Sequence, residues 1–251
     1  MDDRFILAQI SDTHIHPGDP GATERMRRAM QQAREFRADA ILLTGDLVND
    51  EQPAEYALLA DLIAKPHAPL FLMPGNHDAR AAMRAAFPDH AYLPREGSLS
   101  FVLDQFPLRI VAVDQIVPGE THGNLTAEEA AWLDRTLAAA PERPTIVALH
   151  HPPFLTHDML FDQIGLHQAD AFADVIAKHR QVIRIICGHH HRVAVGQVAH
   201  APVVIAPSTS FVYGLAVHPG QQIAPKTDEQ PGWMMHIWTP KGGLASHFMG
   251  L

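Results

Sequence analysis

The 251-residue chain has a single cysteine, Cys187, which excludes an internal disulfide framework and a zinc site built from thiolates. It leaves the redox compartment open. No apolar run approaches the roughly 18 residues of a membrane-spanning helix, so no membrane partner is expected. Basic residues are also scarce: 19 Lys and Arg stand against 28 Asp and Glu, a formal charge of −9. Long nucleic acid needs clustered cations along its phosphates and is therefore not an expected partner, although a small anion can bind beside metal ions. The opening "MDDRFILAQISD" has two acids where an export signal would be basic, and cytoplasm is the expected location.

Histidine is abundant, with 18 residues spread through the chain rather than gathered in a tag. Short apolar runs alternate with segments of helical period: "FILAQI", Ala22 to Phe36, "AILLTGD", Pro53 to Ile63, "PLFLMPGNHD" and Ala79 to Phe87. In "LTAEEAAWLDRTLAAA", Thr126 and Glu129 have capping-box spacing and predict a helix start. "PTIVALHH", a helix from Gln168 to His179, "VIRIICGHHH" and the strand-like "VAVGQV", "PVVIAP" and "MMHIW" complete the pattern. The expected class is α/β, parallel at first with antiparallel additions, in one domain over residues 1–251. Residues 215–233, rich in Pro, Gly and Gln, read as a long loop.

Five apolar runs end in the same kinds of polar residue. These ends carry Asp12 and His14, Asp46, the trio Asn76, His77 and Asp78, then His150, and finally His189 to His191. Each alone has a plain explanation as a turn or cap, but the carboxyl ends of strands in α/β sheets form one crevice, where all five can converge. Imidazole, carboxylate and amide oxygen without thiolate suit Mn, Fe, Co or Zn. So many candidate ligands suggest two ions, bridged by a carboxylate such as Asp46, and a two-ion clamp points to phosphoester hydrolysis.

The order of "DTH", "GD", "GNHD", His150 and "GHHH" resembles the calcineurin-like metallophosphoesterase superfamily, over roughly Phe5 to Ser210. The resemblance implies a four-layer α/β/β/α sandwich with mixed sheets. It implies that Asp12, His14 and His191 hold one ion, that Asn76, His150 and His189 hold the other, and that Asp46 bridges. It makes His77 the catalytic group that protonates the leaving oxygen while hydroxide from the ions attacks phosphorus. Asp78 is expected to support the turn behind the ligands.

Asn49 in "GDLVND" and the "GNHD" sequence depart from the protein-phosphatase pattern. "GDLVNDEQPAEY", "HHPP" and "CGHHH" look instead like the bacterial branch of class III cyclic nucleotide phosphodiesterases and glycerophosphodiesterases, many of which self-associate. A small phosphodiester such as 3′,5′-cyclic AMP or a glycerophosphodiester is the substrate this implies. A phosphomonoesterase or nuclease of the same superfamily, or a metal-binding scaffold without catalysis, are the alternatives. Asn49 is expected either to orient His77, to touch substrate, or to serve the turn; His157 is a further candidate substrate contact. If strand geometry continues through "GHHH", His189 and His191 face one way and His190 the other, to pack or meet solvent.

Overall fold

In a computed structural model of the protein, residues 3–221 and 226–251 are described. Residues 222–225, inside the expected 215–233 loop, lie outside them. The first half of the chain runs β1 (Phe5–Ile10), α1 (Pro20–Glu35), β2 (Ala40–Thr44), α2 (Pro53–Ile63), β3 (Leu70–Met73), α3 (Arg80–Ala86), β4 (Phe101–Leu103) and β5 (Arg109–Ala112). It continues through β6 (Gly123–Asn124), α4 (Ala127–Ala138), β7 (Thr145–Ala148), β8 (Leu166–His167), α5 (Ala169–Lys178) and β9 (Val182–Cys187). The final strands are β10 (Ala194–Val198), β11 (Ala201–Ile205), β12 (Gly232–Thr239) and β13 (Gly243–Gly250).

Two mixed sheets result, ordered β13-β12-β1-β2-β3 and β10-β11-β9-β7-β5-β4. In the first sheet β1, β2 and β3 are parallel and β12 and β13 add antiparallel on the β1 side; in the second the four central strands are parallel and β10 and β4 pair antiparallel at the two edges. Side-chain alternation on the second sheet reveals the layers. Ile110, Ala112, Ile146, Ala148 and Ile186 pack in one cluster with Leu7, Ile41 and Leu43 of the first sheet. Their neighbours Val111, Val147, Ile185 and Cys187 pack with Leu133 and Leu137 of α4 and Phe172 and Ile176 of α5. Because successive strand residues face opposite sides, one face of this sheet meets the other sheet and one meets helices. Residues of α1, α2 and α3 pack with the first sheet, which completes the α/β/β/α sandwich.

The helix start at Thr126 forms as its spacing predicts. Thr126 Oγ1 accepts the Glu129 N–H (3.2 Å) and Glu129 Oε2 accepts the Thr126 N–H (2.9 Å). Strand β13 has no counterpart in the sequence reading: "GLASHFMG" is small and half-exposed, yet it pairs with β12 along its whole length, from Gly232↔Gly250 to Thr239↔Gly243. The expected loop also stops short of Trp233, which is a fully buried β12 residue; its ring N–H donates to Gln32 at 2.8 Å. No helix among the described residues is long and apolar enough to cross a membrane.

Candidate metal centre

The carboxyl ends of β1, β2 and β3 in one sheet and of β7 and β9 in the other meet at a single dry point. Asp12, Asp46, His150, His189 and His191 are each 3% exposed or less, and His14 is 5% exposed. The sheets approach closely here because glycine removes the side chains that would keep them apart. A Cβ on Gly188 would run into Ser11 Oγ and lie 2.6 Å from Asp12 Oδ2, and one on Gly75 would strike Asp46 and sit 2.8 Å from the His150 ring. Gln9 of β1 also reaches across to the Cys187 carbonyl of β9 (2.8 Å), and the His189 N–H donates to Asp12 Oδ1 (2.9 Å).

The ligating atoms of Asp12, His14, Asp46 and His191 all lie within 4.8 Å of one another. His14 Nε2 and His191 Nε2 are 3.0 Å apart, with Asp46 Oδ2 3.6 Å from the first and Asp12 Oδ1 3.5 Å from the second. His191 Nδ1–H donates to the Phe211 carbonyl (3.1 Å), which leaves Nε2 as the lone-pair nitrogen facing this point. The His150 ring is oriented in the same way by its Nδ1–H bond to the Thr44 carbonyl (2.8 Å). Its Nε2 lies 3.2 Å from Asp46 Oδ1. Asp46 therefore sends one oxygen toward each set of donors, the geometry a bridging carboxylate requires.

Among the buried atoms without a hydrogen-bond partner are Asn76 Oδ1, His150 Nε2 and His189 Nε2. They belong to the three residues that the family resemblance assigns to the second ion. An unpaired buried polar atom costs about 1–3 kcal/mol, and a cation held among these three would offset that cost. His151 lies beside His189 (ring centroids 4.3 Å) but cannot join them, because its Nε2–H bonds the Thr121 carbonyl (3.1 Å) and its Nδ1 meets the Gln115 amide (2.9 Å). The residues fit a pair of divalent ions.

Electrostatics divides the histidines. Burial holds His189 and His191 well below their ordinary range, His14 at about 4 and His151 at about 3, all neutral near pH 7. Two rings behave differently. Burial opposes charge at His150, but the carboxylates of Asp46 and Asp12 raise it to about 9. Burial likewise works against His77, yet Asp46 and the Asn49 carbonyl raise it above its ordinary value. His77 Nδ1–H donates to the Asn49 backbone oxygen (2.7 Å), so Asn49 meets the His77 ring through its carbonyl, while its side chain bonds His14. Asp78 supports the turn, accepting the Leu47 and Gly75 N–H groups (3.0 and 2.9 Å); burial, then Asp46, push it up to about 7.

Two expectations change. Strand β9 ends at Cys187, and His189 and His191 adopt left-handed φ values of 69° and 59°. A turn, not strand alternation, separates them from His190, whose ring does not meet solvent. It is 2% exposed, 3.5 Å from Asp158 and edge-on to Phe161. His157 is exposed, with neither hydrogen bond nor ring contact to the described residues; its neighbour Asp158 turns inward instead. Sequence reading missed the aromatic wall of Phe161, Phe211 and Tyr213 beside His189 and His191. It also missed a third cluster, His16, Asp50 and Glu55. In that cluster the Gly18 N–H donates to His16 Nδ1 (2.8 Å), and His16 Nε2 faces Asp50 at 3.8 Å and Glu55 at 4.0 Å.

Fold and donors together define a two-ion phosphoesterase centre. The family model for calcineurin-like phosphoesterases matches residues 6–193, and the chain belongs to that family. It is 29% identical to a probable glycerophosphodiester phosphodiesterase of Arcobacter nitrofigilis over 97% of this chain and 92% of that one. It is 35% identical to a 3′,5′-cyclic adenosine monophosphate phosphodiesterase of Escherichia coli over 75% of this chain and 70% of that one. Among solved structures, a dimetal phosphatase from Danio rerio superposes with a TM-score of 0.75 at 13% identity, covering 98% of this chain and 96% of that one, a likeness of fold.

Proposed function

We propose that the protein is a metal-dependent hydrolase of small phosphodiesters, with a 3′,5′-cyclic nucleotide or a glycerophosphodiester as substrate class. The observation that carries this reading is Asp46, whose two oxygens face two separate sets of buried donors, one of them with three unpartnered atoms. Asp12, His14 and His191 hold one ion in this reading, Asn76, His150 and His189 the other, and Asp46 both. Two divalent ions, when bound, neutralise charge on the phosphoryl group and activate water for attack. Mn, Fe, Co and Zn suit the nitrogen and oxygen donors.

His77 supplies the proton. Its Nδ1–H is committed to Asn49, so Nε2 is the free position, and Asp46 and the Asn49 carbonyl raise the basicity of the ring, which favours a proton there. An alkoxide leaving group needs that proton. His157, exposed on the loop after β7, is left to meet the outer part of the substrate. The whole chain acts as one catalytic unit, cytoplasmic, without long nucleic acid as substrate, and self-associates as the sequence resemblance implies.

The test is turnover of bis(p-nitrophenyl) phosphate with Mn²⁺, followed by a panel of cyclic nucleotides, glycerophosphodiesters and monoesters with metal content measured on the same preparation. Diester turnover that chelation abolishes is expected. Protein holding two ions with no diester turnover on Mn, Fe, Co or Zn would refute the reading, and faster monoester turnover would move it to a phosphomonoesterase.

A further inference from the structure

The first turn of α2 lies behind His77, and two adjacent residues there are almost completely buried although both are polar: Glu55 and Tyr56, each 1% exposed. Glu55 closes a capping box with Gln52, accepting the Gln52 N–H at 3.0 Å, a role that serves only the helix. The same oxygen, Oε2, accepts a second bond from the Asp50 N–H at 2.9 Å. That bond lies outside the helix. The Asp50 N–H and the Asn49 carbonyl belong to one peptide group, which is planar and trans, so the two point in opposite directions. The Asn49 carbonyl is the acceptor that holds His77 Nδ1 at 2.7 Å. Glu55 thus grips one side of the peptide whose other side aims the His77 ring.

Tyr56 grips the other half. Its hydroxyl donates to Asp78 Oδ1 (3.1 Å) and accepts the Ala79 N–H (3.1 Å). Asp78 in turn accepts the Gly75 N–H, so the turn 75–79 that carries His77 is closed from both ends. Phe87 packs edge-on against the Tyr56 ring and holds it in place. We propose that Glu55 and Tyr56 are positioning residues for His77, Glu55 setting the direction of its ring through the 49–50 peptide and Tyr56 setting its backbone through Asp78.

This rests on the reading of His77 as proton donor, and the experiment separates the two. Aryl methyl phosphates with p-nitrophenol (good) and phenol (poor) leaving groups are compared on the metal-loaded protein, because a misaimed acid matters only where the departing oxygen needs its proton. His77→Ala is the control, expected to retain both ions and to lose far more rate on the phenol ester. Equal losses there would overturn the role of His77 and the clamp with it. Given the control, Glu55→Ala is expected to lower kcat about tenfold on the phenol ester and less than about threefold on the p-nitrophenol ester, with KM and metal content unchanged. Glu55→Gln keeps an oxygen for both N–H groups and is expected to restore most of the loss. Tyr56→Phe, which preserves the buried ring, is expected to lower kcat about threefold on the phenol ester alone and decides the matter if Glu55→Ala does not fold. Losses independent of leaving group, loss of metal, or a Glu55→Gln as impaired as Glu55→Ala would overturn the proposal.

Discussion

The two sheets bring different chemistry to one point. The first supplies the oxygen donors Asp12, Asp46 and Asn76 with His14 and His77, whereas the second supplies imidazoles alone: His150, His189 and His191. Their electrostatics differ accordingly. Burial and the charge of Asp46 push Asp12 up to about 7, while Asp46, despite its own burial, is held well below the ordinary carboxylate range by His150, His77 and His14. Neither proposed ion finds its full set of ligands on one sheet. Each would be held by strand ends from both, so the ions that serve chemistry also staple the sandwich.

Asp46 is where that division is sharpest. Asp46→Asn puts an amide nitrogen, which cannot ligate, toward either His14 or His150. Loss of one ion and a fall in kcat/KM of about a thousandfold or more, equal to about 4 kcal/mol of electrostatic stabilisation, are expected. Retention of both ions with near-normal diester turnover would show that the oxygens of the first sheet do not bridge. Chelation tests the staple itself. An ion present at a hundredfold its Kd stabilises by about 2.7 kcal/mol, so removing one lowers Tm by about 5–10 °C in a chain of this size. The melt should recover on adding Mn²⁺ back; a Tm indifferent to chelation would mean that the sheets hold together here without ions.

The same division governs what could be read before the fold was known. Apolar runs ending in Asp, Asn or His mark both the central strands and their functional ends, since a strand covered on both faces must be apolar until it reaches the crevice. All the expected metal ligands therefore stand at strand ends or one turn beyond them. Strand β13 escaped because an edge strand needs no apolar run: its residues, Gly243, Ala245 and Ser246 among them, are set by backbone pairing with β12, to which Ser246 adds a side-chain bond to His236 (2.8 Å). The left-handed turns at His189 and His191 escaped because their tertiary partners, the Asp12 carboxylate on the His189 N–H and the Phe211 carbonyl on the His191 ring, are distant in sequence. Glu55 and Tyr56 looked like ordinary residues of a helix start. The Glu55 bonds stay local, to Asp50 and Gln52, but those of Tyr56 run to Asp78 and Ala79 in the turn after β3, a relation that exists only once β2 and β3 lie side by side.

His190 gives the smallest effect and the finest test of the comparison, because it sits between two ligands of the second sheet without being one. Its ring is as dry as theirs, and both its nitrogens lack hydrogen-bond partners. Burial lowers its basicity, and Asp158, the acid it faces across 3.5 Å, opposes that only in part. Asp158 and Phe161 both belong to the loop after β7, so the ring serves to seat that loop against the turn. His190→Ala should keep both ions and hold kcat within about threefold, while losing about 1–2 kcal/mol of stability through the cavity against Phe161. His189→Ala and His191→Ala should each lose an ion. Metal analysis of the three variants side by side decides it: an ion missing from His190→Ala would make the run of histidines a ligand cluster rather than two ligands divided by a packing residue.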